Sequence, residues 1–323
     1  MGESNNNAEA HDDTVFVRGD EVDLACHVCG PADAPVLVFV HGYPDNHRVW
    51  DRLVTELAAH YRCVRYDVRG AGESSRPTDT GAYTLDHLQA DLQAVIDWAS
   101  PNAPVHLIGH DWGSIQTWES VTDPAMAARI ASYTSISGPC LDHVGHWLRS
   151  QWEADRSGLL KQMRKSWYIL AFHMPLVPGL LWHSILGRRW HAIASRLEGQ
   201  SLPENPSQTR DGADGIRLYR ANILERLRHP RARHAQAPVQ VITPQRDPFV
   251  GPGFVVGLER WVESLTVTPI DAAHWAIQTH PDTVADHCRA FARGHVAAPS
   301  EPAPQTGPKR QSPAHRTQEA SHG

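Results

Sequence analysis

Short apolar runs alternate with amphipathic stretches along most of the chain. Residues 14–18 and 21–28 have the character of strands, and Gly19-Asp20 between them is a hairpin signal. Val36–Val40 is a continuous, valine-rich apolar run, as expected of a parallel strand buried on both faces. The spacing of Trp50, Leu53, Val54 and Leu57 predicts a helix, and residues 63–66 the next strand. Leu85–Ala99 is apolar at helical period. A further strand at residues 105–108 leads into a helix-like segment at 115–121 and then a strand at Ile130–Ile136. Such alternation predicts an α/β protein with a mostly parallel central sheet and helices on both faces.

The rhythm changes after Ser137-Gly138-Pro139. From there to Ala235 the pattern is helical throughout and rich in Trp, Leu, Arg and His. Strand and helix alternation resumes at residues 239–243 and 266–270, with a last helix near 283–293. A core of residues 14–138 and 236–297, interrupted by an α-helical lid at 139–235, is therefore expected. Such a lid would sit over the strand ends where α/β sites form. Residues 167–186 are apolar enough to raise a membrane span, but Pro175, Pro178, His173 and His183 interrupt them. A lid helix pair lining an apolar tunnel fits better, with no integral membrane span.

Residues 1–13 are polar, with an Asn run, and residues 298–323 turn to Pro, Ser, Ala and Gln; both read as disordered. No apolar targeting core precedes the first strand. Met1-Gly2 opens like a myristoylation motif, but Asn6 stands where Ser or Thr is required, so the cytoplasm is the expected location. The formal charge of −6 offers no basic surface for nucleic acid. Five cysteines are an odd number for a disulfide framework. Cys26-His27-Val28-Cys29 lacks a second ligand pair, and on a strand its thiols would face opposite ways, so it is read as structural. The glycine-containing loop at residues 67–74 has too few glycines and no Lys for a phosphate cradle. No internal repeat is visible.

The candidate chemistry centres on Gly109-His110-Asp111-Trp112-Gly113-Ser114, between a strand and a helix. Strand, Gly-x-X-x-Gly and helix form a nucleophile elbow, in which small flanking residues let the chain turn sharply and present the central side chain. Here that side chain is a carboxylate. It is a poor nucleophile toward amides but displaces at sp3 carbon to form an ester, which points to an epoxide or an alkyl halide. The competing reading is that Asp111 merely caps the next helix. His274, just past the last strand, is placed to reach Asp111, and Asp247, past the preceding strand, to orient the imidazole. The order nucleophile, acid, histidine is that of α/β hydrolases. Asp142 is a rival for the acid, and Asp271 reads as a strand-end residue.

With these motifs and His41-Gly42-Tyr43-Pro44, the chain resembles an epoxide hydrolase of the α/β-hydrolase family over roughly residues 14–296. The resemblance extends to Ser166-Trp167-Tyr168 with Phe172-His173, and to Leu218-Tyr219-Arg220-Ala221-Asn222. It implies that Tyr168 and Tyr219 donate to the epoxide oxygen, and that the backbone N–H groups of Tyr43 and Trp112 form an oxyanion hole. Trp112, Tyr168, Tyr219 and Phe249 would contact a small hydrophobic epoxide, with no metal or organic cofactor, in a monomer or homodimer. The chain is also similar to the hydrolase half of bacterial proteins fused to a short-chain dehydrogenase, although no dinucleotide-binding segment follows here. A haloalkane dehalogenase would use the same triad with the Trp112 indole on the halide, but typically has Asn where Tyr43 stands and no use for paired tyrosines. A non-catalytic binding module is the alternative from another class.

Overall fold

The computed structural model describes residues 13–295, so the stretches expected to be disordered lie outside it, apart from Asp13, which opens the first strand. Eight strands form one sheet: β1 (Asp13–Arg18), β2 (Asp23–Cys29), β3 (Val36–Val40), β4 (Arg62–Tyr66), β5 (Val105–His110), β6 (Ile130–Ile136), β7 (Val239–Pro244) and β8 (Leu265–Ile270). Their spatial order is β1-β2-β4-β3-β5-β6-β7-β8. The first two strands pair antiparallel and β2 meets β4 antiparallel; every pairing from β4 to β8 is parallel.

Parallel strands need covered faces, and each face has its own apolar core. One packs Leu88, Leu92 and Ile96 of α2 (Leu85–Ala99) and Trp118 of α3 (Trp112–Val121) against Val38, Val40 and Leu107. The other packs Leu53 and Leu57 of α1 (Asp51–Leu57), with Val284 and Cys288 of the last helix (Pro281–Gly294), against Leu37, Phe39 and Ile108. Successive residues of β3 thus serve opposite cores, as the two-residue period requires. Cys26 lies in the first core and Cys29 in the second, as their strand spacing implied, and all five cysteines are buried and outside any disulfide.

Between β6 and β7 the chain is helical: α4 (Leu141–Ala154), α5 (Arg156–Lys165), α6 (Trp167–Phe172), α7 (Val177–Leu181), a π-helical turn (Trp182–Leu186), α8 (Gly187–Glu198) and α9 (Gln208–Arg228). Two buried carboxylates fasten α9 and the segment after it to the core. Asp211 accepts from the Arg76 guanidinium at 2.7 Å and from Gly72 N–H at 3.1 Å. Glu119 of α3 faces Arg226 at 3.4 Å, Arg231 at 2.9 Å and Arg233 at 3.0 Å. No helix of the described residues is long and apolar enough to cross a membrane.

Candidate active site

Asp111 sits between β5 and α3 at φ 51° and ψ −123°, a left-handed backbone that an L-residue adopts only when its surroundings force it. Two glycines permit the arrangement. A Cβ on Gly113 would stand 1.9 Å from the Val40 carbonyl oxygen, and one on Gly42 would stand 2.5 Å from Asp111 Oδ1. The turn is pinned by Asp111 N–H donating to Ile136 O at 3.0 Å and by Ile115 N–H donating to Asp111 O at 3.0 Å. The Asp111 carboxylate makes no capping bond to the helix it precedes, so the capping reading is set aside. Its Oδ1 instead accepts from Tyr43 N–H at 2.8 Å, which lies just beyond β3.

Loops after β7 and β8 bring the other two members in. His274 Nε2 is 3.5 Å from Asp111 Oδ2, and its Nδ1 is 2.9 Å from Asp247 Oδ2. The free oxygen of Asp247 accepts from Phe249 N–H at 2.7 Å and Val250 N–H at 3.0 Å. Burial alone would lower the His274 pKa, but the charges and hydrogen bonds of Asp247 and Asp111 outweigh it and hold the imidazole well above 6.5. For Asp247, burial raises the pKa, yet His274 and the two backbone donors bring it below the usual carboxylate range. Asp142 does not compete for this role. It is buried against Arg231, accepting from its backbone N–H at 2.8 Å and its guanidinium at 3.0 Å. Asp271 is exposed at the end of β8 and pairs with Arg246.

Above these groups, between the helical insertion and the strand ends, lies a cavity of about 680 Å³. Asp111, His274, Tyr168, Tyr219 and Phe249 all line it, within walls that are otherwise mainly apolar, including Phe172, Val177 and Leu186. The rings of Tyr168 and Tyr219 are 6.0 Å apart, and Phe249 stands edge-on to His274 at 5.0 Å. Burial, with the Asp111 charge adding to it, raises the Tyr168 pKa above that of a free phenol. Burial, then Tyr168 and Asp111, does the same for Tyr219. Both are therefore neutral donors at any physiological pH. Trp112 corrects one expectation: its indole is not part of the cavity wall. It is buried edge-on against Tyr219, with ring centres 4.9 Å apart, and packs beneath that tyrosine.

Several supporting residues were not foreseen. His110 Nε2 lies 3.0 Å from the His274 carbonyl oxygen; burial, then the nearby His274, lowers its pKa to about 4, so it is neutral and donates there. Trp275 is held at both ends, its indole donating to Asp45 at 2.8 Å and its backbone N–H to Glu198 at 3.0 Å. Burial pushes Asp45 up to about 7. From α5, Lys165 donates to the Asp247 carbonyl at 2.7 Å and Gln162 to that of Phe249 at 3.1 Å, so the insertion braces the loop that carries the acid. Asp45, His110 and Trp275 had a sequence signal in standing beside the motif residues, but what each of them contacts, like the reach of Glu198, Gln162 and Lys165, depends on segments distant in the chain.

Among the described residues, His27, His47 and Asp67 form a buried group with metal-binding side chains. The two imidazoles are stacked, centroids 3.5 Å apart and 20° from parallel, so their in-plane lone pairs do not converge on one ion. Asp67 already accepts from His47 N–H at 2.9 Å, His47 Nδ1 at 2.8 Å and Glu73 N–H at 2.8 Å. The group is a hydrogen-bonded brace for the loop at residues 67–74.

The model of the α/β-hydrolase fold family matches residues 35–281. A protein of Mycobacterium tuberculosis named probable oxidoreductase EphD is 36% identical over 287 residues, 84% of this chain and 48% of its own length. The chain thus spans about half the length of that relative. Epoxide hydrolase 1 of Caenorhabditis elegans is 24% identical, covering 86% of this chain and 70% of its own. Among solved structures, an inhibitor complex of Bacillus megaterium epoxide hydrolase superposes with a TM-score of 0.74 at 21% identity, over 86% of this chain and all of that one.

Proposed function

The chain is a member of the α/β-hydrolase fold family, and on that premise we propose that it is an epoxide hydrolase with residues 139–235 as its lid. The observation that carries this reading is the company Asp111 keeps: an imidazole paired with a second carboxylate, and two neutral phenols, at one end of an apolar cavity. The epoxide-hydrolase names of the worm and Bacillus relatives agree with it.

The two oxygens of Asp111 divide the work. Oδ2, free of the Tyr43 N–H, attacks a ring carbon; the carbon–oxygen bond breaks and the departing oxygen takes a proton from Tyr168 or Tyr219. Oδ1 becomes the ester carbonyl, already on the Tyr43 N–H. His274, oriented by Asp247, then takes a proton from water that attacks this carbonyl. The tetrahedral oxyanion rests on the N–H groups of Tyr43 and Trp112. On collapse the leaving oxygen of the vicinal diol takes the proton from the His274 imidazolium, the proton left on the new carboxyl restores the phenol, and the water oxygen stays in the Asp111 carboxylate.

A single turnover in heavy-oxygen water is therefore expected to release diol with two light oxygens and leave the label in Asp111, read by mass spectrometry of product and peptide. Heavy diol in that first turnover would mean direct attack by water and would overturn the ester mechanism.

The same ester sets the pH dependence. Alkylation removes the Asp111 charge, one of the two that raise the His274 pKa, while Asp247 remains. The imidazole must be deprotonated to act, so ester hydrolysis should rise with pH, with a midpoint below the His274 pKa of the free protein. Stopped-flow decay of the ester and NMR titration of His274 provide the two numbers; coincident midpoints would refute the coupling.

A further inference from the structure

The surface of the insertion is unlike the rest of the molecule. Of the eighteen large hydrophobic residues that are well exposed among the described residues, twelve fall within residues 160–197. Trp167 is 67% exposed and Leu170 70%, with Leu176, Leu180 and Ile185 close to these values. Single exposed hydrophobes are ordinary; a concentration of this kind on a few short neighbouring helices is not. Lining the substrate cavity does not account for it, because Leu170, Leu176, Leu180 and Ile185 are absent from the cavity wall.

Charge separates the occupants that such a face would accept. Residues 156–197 hold seven Lys or Arg and no Asp or Glu, in a chain whose net charge is −6. Arg164, Arg188, Arg189 and Arg196 form no ion pair with a described side chain. A second copy of this chain, meeting patch to patch across a two-fold axis, would bring these cations against themselves. Residues 1–12 and 296–323 are unsuited to cover the face, since only Met1 and Val296 among them are large and apolar. Exposed Leu and Trp set among unpaired Lys and Arg match the boundary of an anionic bilayer, where acyl chains take the former and phosphates the latter.

We propose that this face of the insertion docks peripherally on anionic lipid bilayers. Trp167, Met174, Val177 and Leu181 are both exposed and part of the cavity wall, so the docked face contains the entrance to the site. The docking is independent of which reaction the cavity performs.

Co-sedimentation of the full chain with phosphatidylcholine vesicles, with and without phosphatidylglycerol, tests this directly. Binding is expected to the anionic vesicles, to weaken as salt is raised, and to be slight on phosphatidylcholine alone. Leu170→Asp with Leu180→Asp should weaken it by about tenfold or more, and so should Arg188→Glu with Arg189→Glu. All four positions are solvent-exposed and outside the cavity wall, and unchanged melting temperatures would show that the variants remain folded. Absence of binding to anionic vesicles at low salt, or binding that neither pair of substitutions reduces, would overturn the proposal. So would a dimer in lipid-free solution that Leu170→Asp with Leu180→Asp converts to monomer without vesicle binding by the parent; the face would then be a contact between copies.

Discussion

A His274→Gln protein mixed with excess epoxide is expected to gain the mass of one whole substrate molecule on the peptide containing Asp111, and then to stop. The first step needs only a carboxylate facing the ring and a proton for the opened oxygen. Tyr43 N–H fixes one oxygen of Asp111, and Tyr168 and Tyr219 line the same cavity, so neither requirement involves the imidazole. The second step needs a base, and His274 is the group positioned for it, 3.5 Å from Asp111 Oδ2 with Asp247 behind it. Steady-state turnover should fall on the order of 10⁴-fold or more, as when a member of a cooperating triad is removed. Asp111→Ala should lose turnover to a similar extent but gain no mass. If the His274→Gln protein carries no adduct while Asp111→Ala still makes diol, Asp111 is not the nucleophile. With a haloalkane, displacement would add the substrate less its halogen, so the same spectrum distinguishes that chemistry.

The alternation of elements was readable because each run has one period. Val36–Val40, Leu85–Ala99 and Ile130–Ile136 begin and end where their apolar patterns do. The insertion was readable only as helical. Its breaks, after Phe172 and through the π-helical turn at Trp182–Leu186, depend on how short helices pack against α9, and one helical period looks like another in sequence. Asp111, His274 and Asp247 were recognisable because each follows a strand, and strand ends converge in a parallel sheet.

What the sequence could not disclose is the set of contacts between segments far apart in the chain. His110 reaches the His274 carbonyl, and Lys165 reaches that of Asp247, across 164 and 82 residues respectively. Trp112 shows the complementary limit. Its place beside the nucleophile suggested a wall of the substrate site, but the first turn of α3 directs the indole under Tyr219. Asp247 was preferred to its rival Asp142 although both follow strands, and contacts between distant segments separate the two. Arg231 claims Asp142, and only the loop after β7 faces His274.

Replacing both tyrosines that the helical insertion contributes to the cavity should nearly abolish ring opening while the protein stays folded. An epoxide oxygen departs as a developing alkoxide, and a mainly apolar cavity stabilises it chiefly through donors fixed in its wall. The donors available are the hydroxyls of Tyr168 and Tyr219, which burial keeps protonated. Losing one such hydrogen bond costs about 2–4 kcal/mol of transition-state stabilisation, roughly 30- to 900-fold in rate. Because the remaining phenol stays on the same wall, Tyr168→Phe or Tyr219→Phe alone should slow alkylation and leave measurable diol formation. The double change removes both donors and both proton sources, so its effect should exceed either single one by a further factor of that size. Phenylalanine preserves the rings that Phe172 and Trp112 pack against, so the melting temperature should shift little. Pre-steady-state alkylation of Asp111 by an epoxide measures the step itself, without ester hydrolysis intervening. Should the folded double variant alkylate at the parental rate, the phenols are packing groups and the epoxide reading loses its chemical basis. If that variant also releases halide from a haloalkane through Asp111, the leaving group this cavity is built for is one that needs no proton.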